Sequence, residues 1–172
     1  MPMGARPVAG EIPWTTVGGQ IYDSVQGPMA SLTQTATQSV ANGADTAIAF
    51  DTEFIDTHNG HDTVTNNERW TCPSGWDGYY FVSGSVFLAS GAAGVRVVWL
   101  RKNAGSEIPG SVNRRSPWSG GDGDGLVCGT CVVFLAAGDY VTLHVIHTQG
   151  AAINTLASGQ YVSGLNVGFM RF

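Results

Sequence analysis

The sequence predicts an all-β sandwich or barrel. Short runs rich in Val, Ile, Thr and aromatic residues recur along it, divided by Gly, Asn and Asp clusters, the mark of strands joined by tight turns. No stretch offers twelve residues of helical periodicity. At 172 residues the chain fits one domain that can bury a sizeable core.

Taken in order, residues 1–30 stand apart. They hold four of the seven prolines (Pro2, Pro7, Pro13, Pro28) and only three charged residues (Arg6, Glu11, Asp23). Ile12, Trp14, Ile21 and Tyr22 follow neither a 3.6 nor a 2 period. The segment reads as an extended N-terminal arm too apolar for a disordered tail, with those four side chains as anchors against a partner surface. The domain proper is then 31–172.

Within it, "SLTQTATQSV" alternates loosely and ends at Asn42-Gly43, and "TAIAF" leads into Asp51. A polar loop, "DTHNGHDTVTNNE", follows. The runs "GYYFVSGSVFLA" and "VRVVWLRK" read as strands, and 103–125 as a long loop. "LVCGTCVVFLAA" reads as a strand, the turn at Gly138-Asp139 leads to "YVTLHVIHT", and "YVSGLNVGFMRF" closes the chain. A strand placed so late points to a terminus tied into the sheet.

Composition removes several classes. Charged residues make up 12% of the chain, against about 25% in a typical soluble protein. So few charges point to a surface covered by other subunits, or to one built from Ser, Thr, Asn and Gly. Net charge is −5 with no basic stripe, so nucleic acid has no electrostatic footprint here. No run of 18 apolar residues exists to span a membrane, and the start lacks the apolar segment of a signal peptide. Cys72, Cys128 and Cys131 form no disulfide framework. Cys128 and Cys131 lie three apart in a strand-like run, where they would face opposite ways unless Gly129 makes a bulge. Buried, reduced thiols are the expectation, with a bridge from Cys72 left open.

Five segments carry a resemblance: "IAFDTEFIDT", "RWTCPSGWDGYYFVSGSV", "VVWLRKNAG", "CVVFLAAGDYVTLHV" and "YVSGLNVGFMRF". In this order and spacing, over roughly residues 33–172, they resemble the globular head of the complement C1q/tumour necrosis factor-like superfamily. The resemblance implies a ten-strand jelly-roll sandwich assembled as a homotrimer, with the arm leaving from one end. Animal members carry a signal peptide and a collagen stalk, which this sequence lacks. Members from bacteriophage virions are similar to this chain, with a "DT…HD" loop and a short N-terminal anchor in place of a stalk. That likeness implies a non-enzymatic virion protein, assembled in the host cytoplasm and released by lysis. It would join other phage structural proteins through its arm. Its head would serve in capsid decoration or a head fibre, or in tail-associated binding to a host-surface glycan or protein. The alternative is a bacterial surface or spore-coat trimer that binds carbohydrate.

Catalytic signals are sparse. There is no G-x-S-x-G elbow, and His144 and His147, three apart on one strand, should face opposite ways. Glu53, Asp56 and Asp62 are the carboxylates available for a glycosidase pair, but acidic loop residues are common. Asp56 and Asp62 in "DTHNGHD", with Asp122 and Asp124 in "GGDGDG", are the candidate calcium ligands; the set lacks the later ligands of a calcium loop, and the same residues suit tight turns. Arg114, Arg115 and Trp118 in the long loop are the candidate ligand-binding residues.

Overall fold

A computed structural model describes residues 27–91, 93–116 and 123–170. The anchors Ile12, Trp14, Ile21 and Tyr22, together with Trp118 and Asp122, lie outside the described residues.

The described chain is all strand and turn. In order come β1 (Met29–Thr33), β2 (Ser39–Val40), β3 (Thr46–Ala47), β4 (Thr52–Asp56) and β5 (Arg69–Thr71). Then follow β6 (Gly78–Leu88), β7 (Arg96–Lys102), β8 (Asn113–Arg115), β9 (Asp124–Val127) and β10 (Cys131–Leu135). Last are β11 (Tyr140–His147), β12 (Ile153–Asn154), β13 (Ala157–Ser158), β14 (Tyr161–Val162) and β15 (Gly164–Phe169). Two sheets make the sandwich. One runs β10-β6-β15-β1-β4, with β9 also on β6; the other runs β3-β11-β7-β8, with β5 also on β11. All pairings are antiparallel.

Alternation places the core. On β6, Tyr80, Val82, Val86 and Leu88 point inward and are fully buried; on β11, Val141, Leu143 and Val145 meet them from the other sheet. Between Val82 and Val86 sits Gly84, where an added Cβ would lie 2.8 Å from a Leu143 Cδ. Glycine there lets the two sheets close over Leu143.

Two expectations change in detail. Among the described residues, fifteen strand segments stand where the resemblance implies ten strands. The first of them begins at Met29, two residues inside the segment read as arm, and Ala30 is already core. The long connection 103–125 is not all loop either, since β8 adds an edge to β7.

The thiols are a more instructive correction. "LVCGTCVVFL" is not one strand: it breaks at 128–130, so that β9 and β10 pair with successive parts of β6. Gly129 makes the break, because a Cβ there would lie 2.1 Å from the Gly110 carbonyl oxygen. Both Cys128 and Cys131 therefore turn inward, and Cys72 is buried as well; none is in a disulfide. The Cys128 Sγ accepts from the Gly84 amide at 3.0 Å, and burial pushes its pKa up to about 11. Cys72 sits where β5 ends, its backbone bonded to Asp139 and Gly138 and its thiol 3.5 Å from the Tyr80 hydroxyl. Only thiolates alkylate readily, so the native protein should leave all three cysteines unlabelled by iodoacetamide at pH 8. Denaturation should expose three; rapid native labelling would contradict this packing.

Candidate assembly face

The outer face of the β10-β6-β15-β1-β4 sheet is where sequence and structure part from an ordinary monomer surface. The first half of β6 is apolar on both faces: Tyr80 and Val82 fill the core, while Tyr79 and Phe81 point out, 47% and 49% exposed. Beside them on β10, Val132 and Phe134 are 50% and 47% exposed. Register makes this one surface. Met29, Gly168, Phe81 and Val132 stand opposite one another across four strands, and Tyr79 pairs with Phe134 in the next row. The Tyr79 and Phe134 rings meet edge to face at 5.4 Å.

Gly168 in the middle of the row has nothing within 4 Å of where a Cβ would be, so the apolar row carries a hollow between Met29 and Phe81. Toward the other end the same face turns small and polar, with Ser31, Asn166 and Ser83 in register. A contiguous aromatic patch with a hollow and a polar margin is the anatomy of a protein–protein contact. The signal was present in "GYYFV" and "CVVFL", where both phases of the alternation are apolar, the pattern of strands covered on both sides.

Of the residues singled out from sequence, the described ones fall elsewhere, and only Arg115 and Asp124 come together. Arg115 and Asp124 belong to a buried ion network. The Arg96 side chain is fully buried, its Nε 2.6 Å from Asp124 and its NH2 3.0 Å from the Gln149 side-chain oxygen. Arg115 reaches the same carboxylate at 3.1 Å and donates to the Gly125 carbonyl. Burial pulls the Arg96 pKa down, and Asp124 holds it up. Arg114 stands exposed on edge strand β8.

Asp56 and Asp62 are occupied by turns. Asp56 accepts from the His61 amide at 2.8 Å, while Asp62 accepts from the amides of Val64 and Thr65. Those two amides hold the Asp62 carboxyl below its usual range. Among the described residues, no three His, Cys, Asp or Glu side chains gather as a metal would require. The histidines of β11 do face opposite ways. His147 is buried and bonded to the Val40 carbonyl at 2.9 Å, and His144 lies on the outer face against Trp99.

No protein-family model matches the chain, and no curated protein matches its sequence. Solved structures do match. Murine APRIL superposes with a TM-score of 0.58 at 13% identity, covering 83% of this chain and 98% of its own. Eiger TNF from S. frugiperda gives 0.55 at 16%, covering 85% and 94%. The PRD1 vertex protein P5 gives 0.57 at 15%, covering 85% and 99%. At such identities the likeness is one of fold. The sandwich is a tumour necrosis factor-like jelly roll, a fold shared over most of the chain with each of these structures.

Proposed function

We propose that the chain is a non-enzymatic bacteriophage virion protein: a homotrimer whose jelly-roll heads meet through the Phe81 face and project from the particle. The exposed aromatic face carries this reading. An isolated head would leave Tyr79, Phe81, Val132 and Phe134 in water together, a patch that a soluble monomer rarely tolerates. The family resemblance supplies the three-fold arrangement, and likeness to a vertex protein favours a place on a particle.

The arm fits an anchoring role. Phe169 of the last strand donates to the Pro28 carbonyl at 3.0 Å, and Gly27 packs on the Phe169 ring. The chain therefore enters the head beside the end of β15, so three arms would leave a trimer from one end. Removing residues 1–26 is expected to leave a folded trimer that no longer incorporates into particles. A truncated head that still incorporates, or that unfolds, would sink the anchoring role.

Copy number then places the head. Many copies that stay with purified capsids mean decoration, whereas a few copies lost with tails mean host attachment. The head is proposed to need no cofactor, since Asp56, Asp62 and Asp124 already serve turns and an ion network. Millimolar calcium and chelator should both leave the melting temperature unchanged; a rise with calcium would restore the metal reading.

A further inference from the structure

We propose that the other sheet carries a saccharide-binding groove with two adjacent subsites, one on each side of the Arg69–Tyr140 pair. The groove lies on the sheet opposite the Phe81 face, so assembly through that face leaves it open. For its biological setting alone, the inference rests on the reading of the chain as a particle-borne head.

Two open surface depressions of about 260 Å³ each flank that pair. Each is below the range of drug-sized pockets and suits a single small ring. Glu68, Arg101, Asn103, Tyr140, Thr142 and His144 line the first. Asn59, His61, Asp62, Thr65, Arg69 and Thr71 line the second. They adjoin by register: Tyr140 stands opposite Thr71, and Thr142 opposite Arg69, all on the outer face of β5 and β11. The Arg69 guanidinium lies 4.6 Å over the Tyr140 ring and forms the shared wall.

The lining selects the ligand class. Asp45 is 2.6 Å from both Arg101 and the His144 Nδ1, and Glu107 lies 3.9 Å from Arg101. Arg101 is thus already compensated, and Glu68 adds negative charge, so the first cavity offers an anion no net attraction. The second is lined by one acid, Asp62, and one guanidinium, Arg69, whose formal charges cancel. A metal is also disfavoured, since no cluster of three ligating side chains exists among the described residues. What remains is a fixed array of hydroxyl, amide, carboxylate and guanidinium groups, the complement of a neutral polyhydroxylated ligand.

The hydrogen bonds orient this array. With Nδ1–H of His144 given to Asp45, its Nε2 accepts from the Thr142 hydroxyl at 2.9 Å. The Thr142 oxygen is left as an acceptor for a ligand hydroxyl. Burial lowers the His144 pKa, which keeps this imidazole neutral at pH 7. The buried Arg101 Nε has no acceptor among the described residues. These groups sit mainly on paired strands and the turns beside them, so little ordering is needed on binding.

Calorimetry and saturation-transfer NMR on the full-length trimer test the groove. The probes are maltose, lactose, N,N′-diacetylchitobiose, glucose, galactose and N-acetylglucosamine, with citrate as the anionic control. At least one disaccharide should bind, more tightly than its component monosaccharide. Thr142→Val and Thr71→Val, one in each subsite, should each weaken it about fivefold, as expected for one lost hydrogen bond. Ser158→Ala, at an exposed position on β13 outside both linings, should change nothing. The groove is overturned if none of the six sugars binds, if binding survives both substitutions unchanged, or if only citrate binds. Because binding is read on purified trimer, its failure leaves the assembly reading standing. A particle lacking the protein would leave the groove standing.

Discussion

Asp124→Ala is expected to lower the melting temperature by on the order of 10 °C. The reason is the charge left behind. Arg96 is completely enclosed between the sheets, its Nε held 2.6 Å from the Asp124 carboxylate. A guanidinium stays protonated, so without Asp124 a full positive charge would remain buried, at a cost of about 3–5 kcal/mol. Arg115, bound to the same carboxylate, would be released as well, loosening β8 from β9. The double variant Arg96→Met/Asp124→Leu should recover most of the loss, because a well-packed apolar pair replaces a buried ion pair at little cost. A thermal melt of the three proteins decides. If Asp124→Ala melts within 2 °C of the parent, roughly the scatter of a surface substitution, the network is not structural.

Phe81→Asp should dissociate the assembly while leaving the fold intact. Phe81 is central in the row running from Met29 to Val132, flanked by the hollow over Gly168. Its side chain is half exposed in the isolated head, so aspartate costs little there and can hydrate. Across a packed interface the same carboxylate would be buried without a partner, and three-fold symmetry would repeat the penalty at every contact. Central aromatic residues commonly carry 2 kcal/mol or more of binding energy each, so micromolar trimer should shift to monomer with unchanged circular dichroism. If the variant remains trimeric, the Phe81 face is not the interface.

The sequence made the fold legible because each strand announces itself by alternation and each turn by Gly, Asn or Asp. Asn103, for example, adopts φ 55° just after β7, and Gly138 adopts φ 85° before β11. Opposite facing of His144 and His147 followed from strand geometry alone. The thiol pair did not follow, because the break at Gly129 depends on the Gly110 carbonyl, which lies nineteen positions back in the chain and comes close only in the folded state.

The sites were less legible for a similar reason. Asp124 looks like a loop acid until Arg96, 28 residues earlier, is seen to close on it. Thr142 and Thr71 are unremarkable strand residues until β5 and β11 pair. The aromatic face was readable in principle: in "GYYFV" at the start of β6, Tyr79 and Phe81 leave no polar phase, and a stretch apolar on both faces calls for a covering partner.

The assembly claim is tested most directly by sedimentation equilibrium of the full-length protein at micromolar concentration. A mass three times that of the 18.0 kDa chain is expected, shifting to the single-chain mass in Phe81→Asp. A stable species at the single-chain mass in the parent protein would contradict it.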